Sequence, residues 1–127
     1  MAANYTTALK DSRMDLVDDA INVSQPGELH IANSTDFTGS NLLATIVMNN
    51  PAFGASSSGV LTMASAISDT SADNTGTAAQ ARIQDGAAAD VITGLTVGTG
   101  GTDIILDSLS ITVSQTVTIN TATITHA

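Results

Sequence analysis

Cysteine and tryptophan are missing from this 127-residue chain. Without cysteine there is no disulfide framework, no thiol nucleophile and no thiolate metal site. Compartment is therefore not readable from redox chemistry. Aromatics are limited to Tyr5, Phe37 and Phe53, so Ile, Leu, Val, Ala and Met must build the core. Basic residues are scarcer still: Lys10, Arg13 and Arg82 face twelve acids, for a net charge of −9. A chain with that balance repels nucleic acid and anionic lipid, which excludes both as expected partners. Charged residues make up 12% of the total, against roughly 25% in an average domain. There is no charged-then-apolar leader and no apolar run of membrane-spanning length, so a soluble protein without an export signal is expected.

What remains is small and polar: Thr, Ser, Asn, Ala and Gly. A weakly charged surface of small residues suits close packing against other chains. The length suggests one domain, residues 1–127, large enough to bury a core. The spacing predicts a helix over 5–23, capped by Asn4, Thr6 or Thr7 and stopped by Pro26-Gly27. At about 100° per residue, Leu9, Leu16, Val17, Ala20 and Ile21 share one side, with Met14 at its flank. Asp11, Asp15, Asp18 and Asn22 share the other, with Asp19 close by. The expected arrangement is a packed apolar arc opposite a solvated acidic face. Arg13 falls in the middle of the apolar arc. It needs an acid to pair with, inside the fold or on a neighbouring chain, and the internal pair is the expected one.

From residue 28 the period changes to two. Leu29 and Ile31 alternate with Glu28 and His30. Further strands are predicted over 42–48, 60–67, 77–84, 90–97, 103–109 and 111–125, with a hairpin at Asp85-Gly86. Pro51 and Phe53, in the turn 49–59, can plug the edge of the core. The fold class expected is mainly β with one N-terminal helix: an antiparallel β-sandwich or barrel of about seven short strands over 28–125.

Chemistry is hard to assemble. Asp69, Ser71 and Asp73 stand at the first, third and fifth positions of a calcium loop. The sixth position is Asn74 rather than Gly and the twelfth is Gln80 rather than Glu, so a polar hairpin loop is expected instead. Asp11, Asp15 and Asp18 on a helix do not complete an oxygen shell. Only His30 and His126 could act as a base near neutral pH, His126 lies where chains fray, and no serine has a nucleophile-elbow setting. VGTGGTD (97–103) has no following Lys or helix and reads as a glycine-rich turn. No catalytic, cofactor-binding or metal residue is assigned, no cofactor is expected, and the chain is not expected to be an enzyme. A glycan-binding module is the alternative from a different class, but three aromatics offer little for sugars to stack on.

The order of signals is nonetheless specific: SRMDLVDDAIN, PGELHIAN, LLATIVMNNPAFGASSSGVLTM, QARIQDG and TDIILDSLSITVSQTVTINTATIT. Over nearly the whole chain this resembles a group of small proteins encoded in tailed-phage and prophage genomes. The resemblance implies a structural virion protein, foremost a capsid decoration or cement protein, with a tail or neck component as the alternative. It implies assembly in the host cytoplasm, residence in the virion and the major capsid protein as partner, with a homotrimer at a symmetry axis. It transfers no functional residues. For contacts, the helix and the last strand are expected, with Arg13 as a polar anchor and Phe53 as an apolar one.

Overall fold

The computed structural model describes residues 5–22, 26–49, 53–63 and 66–126. Among these residues one α-helix, α1 (Thr7–Ile21), precedes ten strands, with a single 3-10 turn at Gly39–Asn41. These are β1 (Glu28–Ala32), β2 (Leu42–Val47), β3 (Val60–Thr62), β4 (Ile67–Asp69), β5 (Gly76–Thr77), β6 (Gln80–Gln84), β7 (Asp90–Gly98), β8 (Ile104–Leu106), β9 (Ser110–Ile111) and β10 (Val117–Thr125). Eight of them form one sheet curled into a half-barrel, in the order β2-β1-β6-β7-β8-β10-β3, with β4 also on β10. β5 and β9 form a small separate ribbon. The chain is thus mainly β with one helix, as its periodicities indicate.

Alternation sets the two faces of the sheet. Leu29 pairs across to Ile46 and Ile83, and Ile31 to Ala44 and Ala81. All six side chains are buried. The next residues along give the opposite face, where Glu28 lies beside Val47 and Gln84, and His30 beside Thr45 and Arg82. One side of β1 therefore belongs to the core and the other carries polar groups.

Strand number exceeds the expected seven because strands change partners. The predicted strand 77–84 is two: Thr77 belongs to the ribbon with β9, and Gln80 begins the pairing with β1 and β7. Between them Ala78 N donates to Leu109 O and Ala79 N to Ala32 O. The stretch 111–125 likewise opens as a turn, with Ser114 at φ 70° and Thr112 N bonded to Gln115 Oε1. Pairing is antiparallel except between β7 and β8, which run parallel at Val97↔Ile104 and Gly98↔Ile105. The glycine-rich turn between them makes this possible. A Cβ at Gly98 would stand 2.8 Å from Thr102 Cγ2, closer than a side chain tolerates. The Asp85-Gly86 signal does mark a hairpin, with a loop longer than two residues, and Asp85 Oδ1 accepts the N–H of Ala87 and Ala89.

Helix α1 begins where Thr6 Oγ1 accepts Leu9 N at 3.3 Å. This is an N-cap of the kind the sequence suggests. It ends at Asn22, whose N–H and side-chain amide both turn back to Asp18. Asn4, Val23 and Pro51, which also entered the expectations, lie outside the described residues.

Candidate interaction surface

Helix α1 is rotated about its axis from the expected mounting: Val17 and Ile21 of the expected apolar arc, with Met14, do pack on the core, while Leu9, Leu16 and Ala20 do not. Its acidic face points into the protein and meets the segment 53–59. Asp18 Oδ1 accepts Phe53 N at 3.2 Å, Asp15 Oδ1 accepts Ser56 N at 3.1 Å, and Asp11 Oδ1 accepts Gly59 N at 2.7 Å. Ser56 Oγ adds a bond to Asp11 O at 2.8 Å. The spacing of four, then three, is thus a row of acceptors one helical turn apart, facing a row of backbone donors. The donors come from a tight turn, in which Ser57 and Val60 exchange both backbone bonds. Ser58 and Gly59 sit between them at φ 54° and 76°, the left-handed pair a two-residue hairpin requires. Burial pushes the Asp18 carboxyl above its usual range, against the lowering effect of the Phe53 and Asn22 hydrogen bonds. Apolar contact on this side comes from Met14 and Ile21, both buried, with Val17 packed at the edge.

The rest of the expected packed arc faces out. Leu16 is 66% exposed, Leu9 45% and Tyr5 42%. Arg13 and Ala20 are exposed between and beyond them. Arg13 does not form the expected internal pair with an acid among the described residues. Its guanidinium lies 4.7 Å from the centre of the Tyr5 ring instead, a cation–π contact. The Tyr5 ring meets His126 edge-on, with centroids 5.8 Å apart, and His126 N donates to Gly59 O. His126 is therefore tied to the same corner.

A second polar group lies on the outer face of the sheet. His30 is buried and Arg82 half-buried. Arg82 Nε donates to His30 Nδ1 at 3.1 Å, which leaves the ring proton on Nε2, 3.3 Å from Glu28 Oε1. Arg82 Nη1 is 3.6 Å from Asp90 Oδ1, which also accepts Gln84 Nε2 at 2.8 Å. The guanidinium stacks 4.6 Å from the centre of the Phe37 ring. Phe37 is held in place by its neighbour Asp36, which accepts the backbone and hydroxyl of Thr38 and the amide of Asn41. Those bonds from Thr38 hold the Asp36 carboxyl below its usual range. Beside the pair runs a groove of about 290 Å³ lined by Thr35, Gln80, Thr93 and Gly94. Arg82 is matched by Asp90 and stacked on Phe37, and Glu28 accepts from the His30 ring, so the group reads as a polar brace between β1, β6 and the loop above them.

Asp69 and Asp73 both turn to Thr45, the first to its N–H at 3.2 Å and the second to its hydroxyl at 3.0 Å. They tie a loop to β2. That loop is not a hairpin, because β4 pairs with β10 and β5 with β9. Among the described residues no group of His, Asp or Glu is arranged to hold a metal ion, and no helix is long and apolar enough to cross a membrane.

Of the two expected contact residues, Arg13 is at the surface and Phe53 is not. Phe53 is 1% exposed, bridges to Met63 and fills the core under α1, as its plug reading requires. It offers no side chain to a partner. Leu9, Leu16 and Tyr5 were not singled out for contact by the sequence. The signal for them was Arg13, since a charge in the middle of an apolar arc marks an arc that is not core. No family model, no curated protein and no solved structure matches the chain.

Proposed function

We propose that the chain is a structural protein of a tailed-phage particle, a capsid decoration or cement protein that stabilises the head by non-covalent contacts. The observation that carries this reading is the outward stripe of α1. Apolar side chains in a row on a helix whose other face is fastened to the body form a built surface for another chain. The setting is the one the sequence resemblance implies, a virion with the major capsid protein as partner. The surface chemistry is compatible: the stripe carries a single cation, Arg13, among apolar side chains, so burying it desolvates few ions. Stabilisation follows from mass action, because a protein that binds the assembled shell and not its loose subunits shifts the balance toward the shell.

The test is to locate the chain in purified particles with a gold-labelled antibody raised against the recombinant protein. Label spread evenly over the head is the expected result. Label confined to the tail or neck would move the role to tail assembly. Intact particles without label would remove the virion reading.

A further inference from the structure

The sheet carries an irregularity beside the Arg82 brace. Ala81 pairs with Leu95 and Ile83 with Ile92, so Arg82 stands opposite two residues of β7, Thr93 and Gly94. This is a β-bulge, a local break in the ladder that re-aims side chains and recurs beside functional sites. Gly94 takes the left-handed conformation of such a bulge, at φ 73°. Nothing lies within 4 Å of the place its Cβ would occupy. Gly94 lines the groove of about 290 Å³, so the bulge opens the floor of that groove rather than filling it.

The opposite wall is the loop after β1. Thr35 and Phe37, two residues apart, both line the groove. Asp36 between them is occupied with the loop itself. Its N–H donates to Ser34 Oγ, and its carboxylate accepts from Thr38 and Asn41. The wall is therefore set before anything binds, which lowers the ordering cost of binding.

The brace leaves a definite set of polar groups unused. Arg82 spends Nε on His30, while its Nη1 lies 3.6 Å from Asp90 Oδ1, beyond hydrogen-bond length. Asp90 Oδ1 accepts from Gln84. Among the described residues Asp90 Oδ2 accepts no hydrogen bond, and neither the amide of Gln80 nor the hydroxyls of Thr35 and Thr93 have a hydrogen-bond partner.

We propose that this groove binds one neutral hexose ring. A guanidinium and a carboxylate side by side, neither fully used, suit adjacent hydroxyls: one accepts from Arg82 and its neighbour donates to Asp90. The Gln80 amide and the two threonine hydroxyls each donate and accept, as the other ring hydroxyls require. Phe37 adds apolar surface for the C–H groups of the ring. The scarcity of aromatics counts against sugar binding over the chain as a whole, but one of the three stands here. The volume is at the small end for ligand sites, roughly 300–1,000 Å³, which admits a single ring.

Other ligand classes fit less well. One carboxylate is too few for a hard metal ion. The charges of Arg82 and Asp90 cancel, so the groove offers no net attraction to an ion of either sign. An anion must also approach a chain of net charge −9, which repels it. A peptide strand has no edge to extend, since β6 and β7 both lie inside the sheet, and strand addition needs a free edge.

The test is a titration of the isotope-labelled full-length chain, followed through its backbone amide NMR signals. The probes are glucose, galactose and mannose. Glucuronic acid and glucosamine serve as rings of the same size with one charge. At least one neutral hexose should give saturable shifts at Phe37, Arg82 and Gly94, in the millimolar range. The charged rings should bind at least fivefold more weakly. Gln80→Ala and Thr93→Val remove groups that have no partner in the fold. Each should weaken binding about threefold to tenfold, as the loss of one hydrogen bond implies, and leave the urea midpoint in place. The methyl glycoside of the bound hexose separates two sources of the same ligand. Equal binding marks the end of a glycan, and loss of binding marks a free sugar.

No saturable shift with any of the three hexoses would overturn the proposal. So would shifts that Gln80→Ala and Thr93→Val leave unchanged, or glucuronic acid bound as tightly as glucose. The groove shares no residue with α1, so sugar binding and particle labelling succeed or fail separately.

Discussion

The two faces of helix α1 invert the usual rule. The side with three carboxylates holds the helix to the protein, and the side with two leucines faces water. The difference lies in what each face meets. Residues 53–59 pair with the β3 arm only through Gly54 and Ser57 before the tight turn, so the N–H groups of Phe53, Ser56 and Gly59 find no strand carbonyl. Such donors need acceptors wherever water is displaced. Asp11, Asp15 and Asp18 provide these at the pitch of the helix. An apolar face has no directional demand of that kind and can wait for a partner. Facing polarity on a small protein is thus decided by the unsatisfied groups of the neighbour as much as by hydrophobicity.

Three substitutions on the inner side should break the joint. Phe53→Ala removes the aromatic plug under α1 and should cost about 3–5 kcal/mol of folding stability in urea titration. Asp18→Ala leaves the Phe53 N–H without its acceptor and should cost about 1–3 kcal/mol. Asp15→Ala, at an exposed bond to Ser56, should cost about 1 kcal/mol. If all three cost the same, the joint acts as one cooperative unit rather than as a graded row.

Asp18→Asn separates the hydrogen bond from the charge. The amide oxygen can still accept Phe53 N–H, so the loss should be well below that of Asp18→Ala. The pH dependence has a definite sign. The folded Asp18 carboxyl holds its proton more tightly than the unfolded one, because burial raises its pKa above 3.8. Its contribution to stability is therefore fully present below the unfolded value and falls as pH rises through the folded one. Asp18→Asn should flatten that part of the curve, read from urea midpoints across the acid range. Asp36 works in the opposite direction. Its carboxyl is held below 3.8 by Thr38, so its contribution is present above that pH and is lost as pH falls through the folded value.

Much of the sheet was legible in advance. Leu29 and Ile31 alternate with Glu28 and His30 in the sequence and on the two faces of β1. The hairpin at Asp85, the glycine turn after Gly98 and the N-cap region at Thr6 also follow from local chemistry. Partner changes were not legible: nothing in TAAQARIQ tells that Thr77 belongs to one sheet and Gln80 to another, because both settings accept the same alternation. The orientation of α1 was hidden for a similar reason. A helical wheel separates two faces and does not name the inner one. Arg82 on Phe37 joins positions 45 residues apart in sequence, a distance over which no spacing rule applies. Arg13 in the apolar arc was read as half of an internal ion pair, and its actual contact is with the Tyr5 ring at the surface.

The smallest expected effect is the one that most sharpens the contrast between the faces. Leu16→Asp replaces the most exposed large apolar side chain of the stripe, at 66% exposure, by a charge. A packed leucine changed in this way would cost several kcal/mol, through lost burial and a desolvated carboxylate. An outward leucine should change the stability of the monomer by less than about 0.5 kcal/mol. A large loss would instead put Leu16 in the core and restore the conventional orientation of the helix.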